Sequence, residues 1–205
     1  MSGSWPWFAA AYLLGAIPTS WIVVKLVTGK DLRTLGSGNL GATNLYRQLG
    51  WRFAVPVGLL DMAKGAVPVM VFGPRAGGAD TMAVLLGATA VLGHVFSVFV
   101  RFKGGKGVAT GAGVVLGLAP KAIPLSLLVW AVVVWVSGYV SLGSILAAVA
   151  LVPAVWFLHP ERRDLLWLFG LLSLAIIGLH QQNIRRLLAG TEHRFQTRGR
   201  GSASA

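Results

Sequence analysis

Seven apolar stretches, at residues 5–27, 53–72, 81–102, 108–119, 123–136, 142–158 and 165–179, dominate this chain and leave it few ways to fold. Inside hydrocarbon no water meets an unpaired N–H or C=O, so a lipid-exposed segment must satisfy its backbone from within. With 55% hydrophobic residues over 205 positions and a mean hydropathy of +0.71, the chain is too apolar for a soluble domain with a polar surface. It reads as an all-α integral membrane protein of about seven transmembrane helices. The fourth, fifth and seventh stretches fall short of the roughly 20 residues that cross a bilayer squarely. Each either draws on its flanks or crosses in part, and six spans is the alternative count.

Basic residues set the orientation, because the bias acts in short loops and at span ends. One side holds Lys25, Lys30, Arg33, Arg47, Arg52, Arg101, Lys103, Lys106, Arg185, Arg186, Arg194, Arg198 and Arg200, which is 13 of the 18 Lys and Arg. The other holds Arg75, Lys121, Arg162 and Arg163, with Lys64 inside the second stretch. The richer side is therefore expected in the cytoplasm together with the C-terminus, and an odd span count places the N-terminus outside. The stretch 5–27 is too long for the apolar region of a cleaved signal and runs straight into the first basic loop. It is expected to be the first span. Residues 1–196 form one polytopic membrane domain by this reading, and 197–205, small, polar and basic, a disordered tail.

A net charge of +12 would point to nucleic acid in a soluble domain. Here positive-inside bias and anionic lipid account for most of it, and no nucleic-acid partner is expected. The chain has no cysteine, which removes disulfides, thiolate nucleophiles and thiolate metal sites together. A covalent acyl intermediate would need serine or another oxygen. No metal and no cofactor is expected.

Two glycine-rich polar segments interrupt the apolar pattern and must line a wet, protein-walled site. In the first, Ser37-Gly38-Asn39-Leu40-Gly41-Ala42-Thr43-Asn44, glycines alternate with hydroxyl and amide side chains. Such a loop offers several donors to a phosphate or a glycerol. Its plainer role is a turn in which Thr43 or Asn44 caps a short helix through Tyr46, Arg47 and Leu49. In the second, Lys103-Gly104-Gly105-Lys106-Gly107-Val108-Ala109-Thr110, the glycines open an apolar helix. The amides and helix N-terminus would face an anion, with Lys106 as the charged partner. This is no P-loop: Lys106 is followed by Gly107 rather than Ser or Thr, and position 100 is valine.

Near the end of the last stretch, His180 and Asn183 stand at i, i+3 on one helix face. Arg185 and Arg186 beside them read as membrane-surface anchors. Asp61 and Lys64 lie at i, i+3 inside the second span, where ionisable groups face a cavity or one another; a structural ion pair is expected. Ser141 and Ser144 supply hydroxyls at a cytoplasmic joint. His94 is expected to satisfy a neighbouring helix.

Taken together, S-G-N-L-G-A-T-N, G-H followed by F-K-G-G-K-G-V-A-T, and H-x-x-N-I-x-R-L-L-x-G-T-E resemble the three motifs of the bacterial acyl-phosphate:glycerol-3-phosphate acyltransferases, the PlsY family. The resemblance runs from about residue 12 to 192, and takes in D-M-A-K-G in the second span and Y-V-S-L-G-S-I after the fifth. Two positions depart from it: Ser97 stands where proline is usual, and Gln181 replaces a common arginine.

The resemblance implies transfer of an acyl chain from acyl phosphate to the 1-hydroxyl of glycerol 3-phosphate, giving 1-acylglycerol 3-phosphate and phosphate. It implies a multi-pass protein of the bacterial inner membrane whose active site faces the cytoplasm, a monomer with membrane lipid as its surroundings. Lys106 with the Gly104, Gly105 and Gly107 amides is then expected to bind a phosphate, with Thr110 in the same motif. Ser37, Gly38, Asn39, Gly41, Thr43, Asn44 and Arg47 would position the other substrate head. His180, Asn183, Ser141 and Ser144 would complete the set, and catalysis would rest on Ser37, Lys106, His180 and Asn183. Residue 185 is arginine and residue 99 phenylalanine, so neither His180 nor His94 begins an H-x4-D acyltransferase signature. Direct transfer is preferred, with substrate phosphate taking the hydroxyl proton; an acyl-enzyme on Ser37 or Ser144 is the alternative. A transporter or channel for a small phosphorylated anion is the rival class. A lipid-binding scaffold is a second.

Overall fold

The computed structural model describes residues 3–78 and 80–195, so the expected tail at 197–205, with Arg198 and Arg200, lies outside the described residues. Among the described residues every regular element is a helix. Two compact units divide the chain, Met1–Pro120 and Lys121–Ala205.

In the first unit, α1 (Trp5–Ala16) and α2 (Thr19–Thr28) meet at a bend of 42°. The stretch expected as one span is thus a broken pair. Pro18 has no N–H to continue the helical ladder and forces Ile17 into an extended ψ of 115°. A short amphipathic helix, α3 (Ala42–Leu49), follows the first glycine-rich segment. Next, α4 (Trp51–Val67) runs through a π-turn at Pro68–Phe72 into α5 (Gly73–Arg75), 25 residues in all. After α6 (Asp80–Val95) and a 3₁₀ turn at Val98–Val100, the second glycine-rich segment leads into α7 (Val108–Leu118).

Glycines set the closest helix contacts of this unit. A Cβ on Gly15 or Gly93 would run into the facing backbone at Ala90 and Tyr12, and so would one on Gly65 or Gly113 at Thr110 and Met62. The pairs α1 with α6 and α4 with α7 therefore pack backbone to backbone, as membrane helices do where lipid gives no hydrophobic drive to associate. A separate apolar cluster of Val24, Leu32, Leu40, Leu45, Val57 and Val100 fixes α2, α3 and the loop between them.

In the second unit, α8 (Ala122–Ser137) and α9 (Val140–Leu158) form a hairpin, and α10 (Leu166–Leu179) packs on α9. A further bend of 57° separates α10 from the amphipathic α11 (Gln181–Leu188). The seventh stretch draws on its N-terminal flank, since helical turns begin at Pro160.

Among the described residues, three helices are long and apolar enough to cross a bilayer: Trp51–Arg75, Asp80–Val100 and Val140–Leu158. Counting each bent pair as one span raises the number to five. The helices α7 and α8 are apolar but, at 11 and 16 residues, shorter. Trp135, Phe157, Leu171 and Leu174 stand exposed on the surface, where hydrocarbon rather than water is the matching solvent.

Candidate active site

The first glycine-rich segment is shaped by its own side chains. Gly38 adopts a left-handed φ of 69°, and a Cβ there would press on the Arg33 carbonyl; only glycine takes this turn cheaply. The Asn39 carboxamide oxygen accepts from the Gly41 N–H at 2.8 Å. Asn44, 1% exposed, donates to the carbonyls of Leu35 and Asn39, each at 3.0 Å, and accepts from the Ser37 N–H at 3.2 Å. Its amide braces the loop from inside. The expected cap at Thr43 or Asn44 is corrected: the helix starts at Ala42 with Gly41 at its N-cap, so both residues lie within the first turn. Ser37, Gly38, Asn39, Thr43 and Arg47 are half-buried at this loop and on α3.

Asp31 anchors the same loop from its other end. Its carboxylate accepts from the Arg33 guanidinium at 2.6 Å, from the Arg33 N–H at 2.9 Å and from the Trp21 indole at 3.1 Å. The Arg33 hydrogen bonds hold its pKa well below the usual carboxylate range. Arg33, counted in sequence as a free loop charge, is therefore neutralised locally.

The second segment departs from expectation in its amides. The Gly104 and Gly105 N–H groups donate to the carbonyls of Val95 and His94, at 2.9 and 3.0 Å. Both amides are engaged within the protein. The two glycines are needed for another reason: a Cβ on Gly104 would strike the His94 carbonyl, and one on Gly105 the His94 ring. Gly107, at a φ of 72°, turns the chain into α7, whose first backbone bond runs from Gly111 N–H to Gly107 C=O at 2.6 Å. The amides of Val108, Ala109 and Thr110 precede that ladder, in the first turn of α7. Lys106 is half-buried beside them. Thr110 is fully buried, with its hydroxyl 3.1 Å from His94 Nδ1, so His94 satisfies a neighbouring helix as expected.

Both segments border one small cavity, to which they contribute Leu40, Gly104 and Gly105. Its other walls are the helix break at Ala16–Thr19 and the buried Asp61, His94 and Ser97. The expected Asp61–Lys64 pair is present at 2.6 Å and nearly sealed from solvent. Lys64 also donates to the Ile17 carbonyl at 2.6 Å and to the Thr19 hydroxyl at 3.0 Å, while Thr19 donates to Asp61 at 2.6 Å. All three ammonium protons are thereby used, which is the condition for a buried charge to be tolerated. Thr19 gave no signal in sequence, because its role follows from the break in the helix.

Within 121–205 a second cluster forms around Glu192, to which the sequence reading gave no role. This buried carboxylate accepts from Ser141 at 2.9 Å, Asn183 at 2.7 Å and Arg186 at 2.6 Å. Burial alone would raise its pKa, but the hydrogen bonds from Asn183, Arg186 and Ser141 outweigh it and hold the carboxyl below its ordinary value. Arg186 is corrected from a surface anchor to an ion-pair partner. Its only sequence signal was the six-residue spacing to a lone glutamate. His180 is 3% exposed, and its Nδ1 lies 2.7 Å from the Ile176 carbonyl. A carbonyl only accepts, so Nδ1 carries the proton. The Ser144 hydroxyl is turned back onto the Val140 carbonyl at 2.9 Å.

The chain is similar to known proteins over most of its length. The family model for glycerol-3-phosphate acyltransferase matches residues 5–190. A glycerol-3-phosphate acyltransferase of Trichlorobacter lovleyi is 47% identical over 190 residues, 93% of this chain and 96% of that one. One from Geobacter sulfurreducens is 44% identical, covering 92% and 95%. The crystal structure of PlsY, an integral membrane glycerol 3-phosphate acyltransferase in its glycerol 3-phosphate form, superposes with a TM-score of 0.86 at 40% identity over 95% of this chain and 96% of that chain. Its lysophosphatidic acid form gives 0.82 at 38% identity, with the same coverage. The chain belongs to the PlsY family of glycerol-3-phosphate acyltransferases.

Proposed function

We propose that this enzyme transfers a fatty acyl group from acyl phosphate to the 1-hydroxyl of glycerol 3-phosphate, releasing lysophosphatidic acid and phosphate. The observation that carries this reading is the single cavity bordered by both glycine-rich segments, in a chain whose relatives are glycerol-3-phosphate acyltransferases. Acyl phosphate is a mixed anhydride with a good leaving group, so positioning and charge neutralisation can supply most of the acceleration. The hydroxyl oxygen attacks the acyl carbon, the bond from that carbon to the phosphate oxygen breaks, and the departing phosphate takes the hydroxyl proton.

Lys106, the Gly107 turn and the first amides of α7 bind one phosphate in this scheme. Gly104 and Gly105 serve by letting the backbone approach His94. Ser37, Thr43 and Arg47 hold the second head group, on a loop shaped by Gly38, Asn39, Gly41 and Asn44. His180 Nε2 orients the attacking hydroxyl, and Asn183, Ser141 and Ser144 contribute polar contacts to substrate. The protein acts as a monomer of the bacterial inner membrane, with residues 1–196 as one functional domain. Its seven spans place the N-terminus outside, and both the active site and the C-terminus in the cytoplasm.

The test is phosphate release by purified protein given acyl phosphate, with and without glycerol 3-phosphate. Release that requires both substrates and collapses in Lys106→Ala supports the scheme. Folded protein that releases none overturns it in favour of transport or lipid binding. An acylated Ser37 or Ser144 trapped in a quenched reaction would replace direct transfer by an acyl-enzyme.

A further inference from the structure

The break at Pro18 takes two carbonyls out of the helical ladder, and of these Ile17 still accepts from the Thr19 N–H at 3.0 Å. In a continuous helix the Ala16 and Ile17 carbonyls would accept from residues 20 and 21; here side chains of other elements meet them. Ile17 accepts from Lys64 at 2.6 Å, and Ala16 from the Ser97 hydroxyl at 2.5 Å. Ser97 is 1% exposed, and its own carbonyl accepts from the N–H groups of Val100 and Phe102, at 3.2 and 2.8 Å. From that turn the chain enters Gly104 and Gly105. Nearby, the Tyr12 hydroxyl donates to the Phe96 carbonyl at 2.6 Å. Ser97 thus ties the break, one wall of the cavity, to the glycine-rich segment that forms another.

Ser97 is also where this chain departs from the family pattern. Its φ of −65° is the value proline fixes, so what serine adds here is the hydroxyl rather than a backbone shape. We infer that Ser97 is a positioning residue for glycerol 3-phosphate: its bond to Ala16 sets the spacing between the break and Gly104–Gly105. This rests on the acyltransferase reading above. The polar side chains of Thr19, Asp61, His94 and Ser97 wall the cavity and suit a hydroxylated substrate head. An acyl chain needs a longer apolar surface, so the effect belongs to the acceptor.

The experiment is steady-state kinetics on Ser97→Ala, Ser97→Pro and Ser97→Thr, varying each substrate in turn. Proline keeps φ and removes the hydroxyl, so it separates loss of the bond from loss of the turn. The KM for glycerol 3-phosphate rises about fivefold in the alanine and proline variants, as for one ordinary hydrogen bond lost, with kcat and the donor KM unchanged. Threonine restores it. Unchanged KM in both, while Lys106→Ala still abolishes release, overturns the role of Ser97 and leaves the acyltransferase reading standing. A fall in kcat and Tm without a change in KM, and without rescue by threonine, also overturns it, since that marks a purely structural contact. Wild-type protein that releases no phosphate fails the underlying reading instead.

Discussion

Glu192 gathers donors from two helices of the second unit, and its charge is what those donors are arranged to meet. Glu192→Gln keeps the shape and removes the charge, so it should destabilise the protein by about 1.5–3 kcal/mol, the range for hydrogen bonds to charged groups. Thermal melting in detergent measures this. The pH dependence has a definite sign. Because the folded state holds this carboxyl below its ordinary pKa, its contribution is complete above the unfolded glutamate value and is lost as pH falls through the depressed one. Melting temperature should fall as the pH drops below the ordinary glutamate range in the wild type, and less in Glu192→Gln. Lys106 belongs to a different class in the proposed scheme, where its charge meets the substrate phosphate. Lys106→Ala should remove on the order of 2–4 kcal/mol of transition-state stabilisation, read as a fall in kcat/KM with Tm unchanged. His180, Asn183 and Lys106 were legible as chemistry-bearing residues because polar groups beside apolar spans stand out. Glu192 was not, since a lone carboxylate on a loop reveals its worth only when three donors close on it.

Among the elements, the informative contrast is between helices set by composition and helices set by contact. Pairing α4 with α7 depends on Gly65 and Gly113, where a Cβ would meet the opposing backbone. Backbone cannot rotate aside as a side chain does, so Gly65→Ala should force the helices apart and cost about 1–3 kcal/mol. It also pushes on Thr110, the partner of His94. Expected are a lower Tm and reduced activity, whereas alanine at Gly170, where a Cβ meets nothing, should leave both unchanged. Equal behaviour of the two variants would count against backbone-to-backbone packing. The apolar stretches were readable element by element, yet the first proved to be two helices. Pro18 was visible in it, but whether a proline kinks or breaks a membrane helix depends on what satisfies the freed carbonyls, here Lys64 and Ser97.

For the whole molecule, the proposed orientation can be measured directly because the chain has no cysteine. A cysteine at Ser4 should react with an impermeant maleimide added outside intact cells, and one at exposed Gln182 only after the membrane is opened. Labelling of both from one side would reject the seven-span topology. Sequence alone determined that this is a helical membrane protein. It also marked two glycine-rich segments as breaks in the apolar pattern, because hydrocarbon tolerates neither charge nor irregular backbone without a reason written locally in residue types. What only the tertiary structure decided is which donors remain for a ligand. The Gly104 and Gly105 amides are taken by α6, the Asn44 amide by its own loop, and Arg186 by Glu192. A hydrogen-bonding group has its capacity written in the sequence, but its partner is chosen by groups far along the chain.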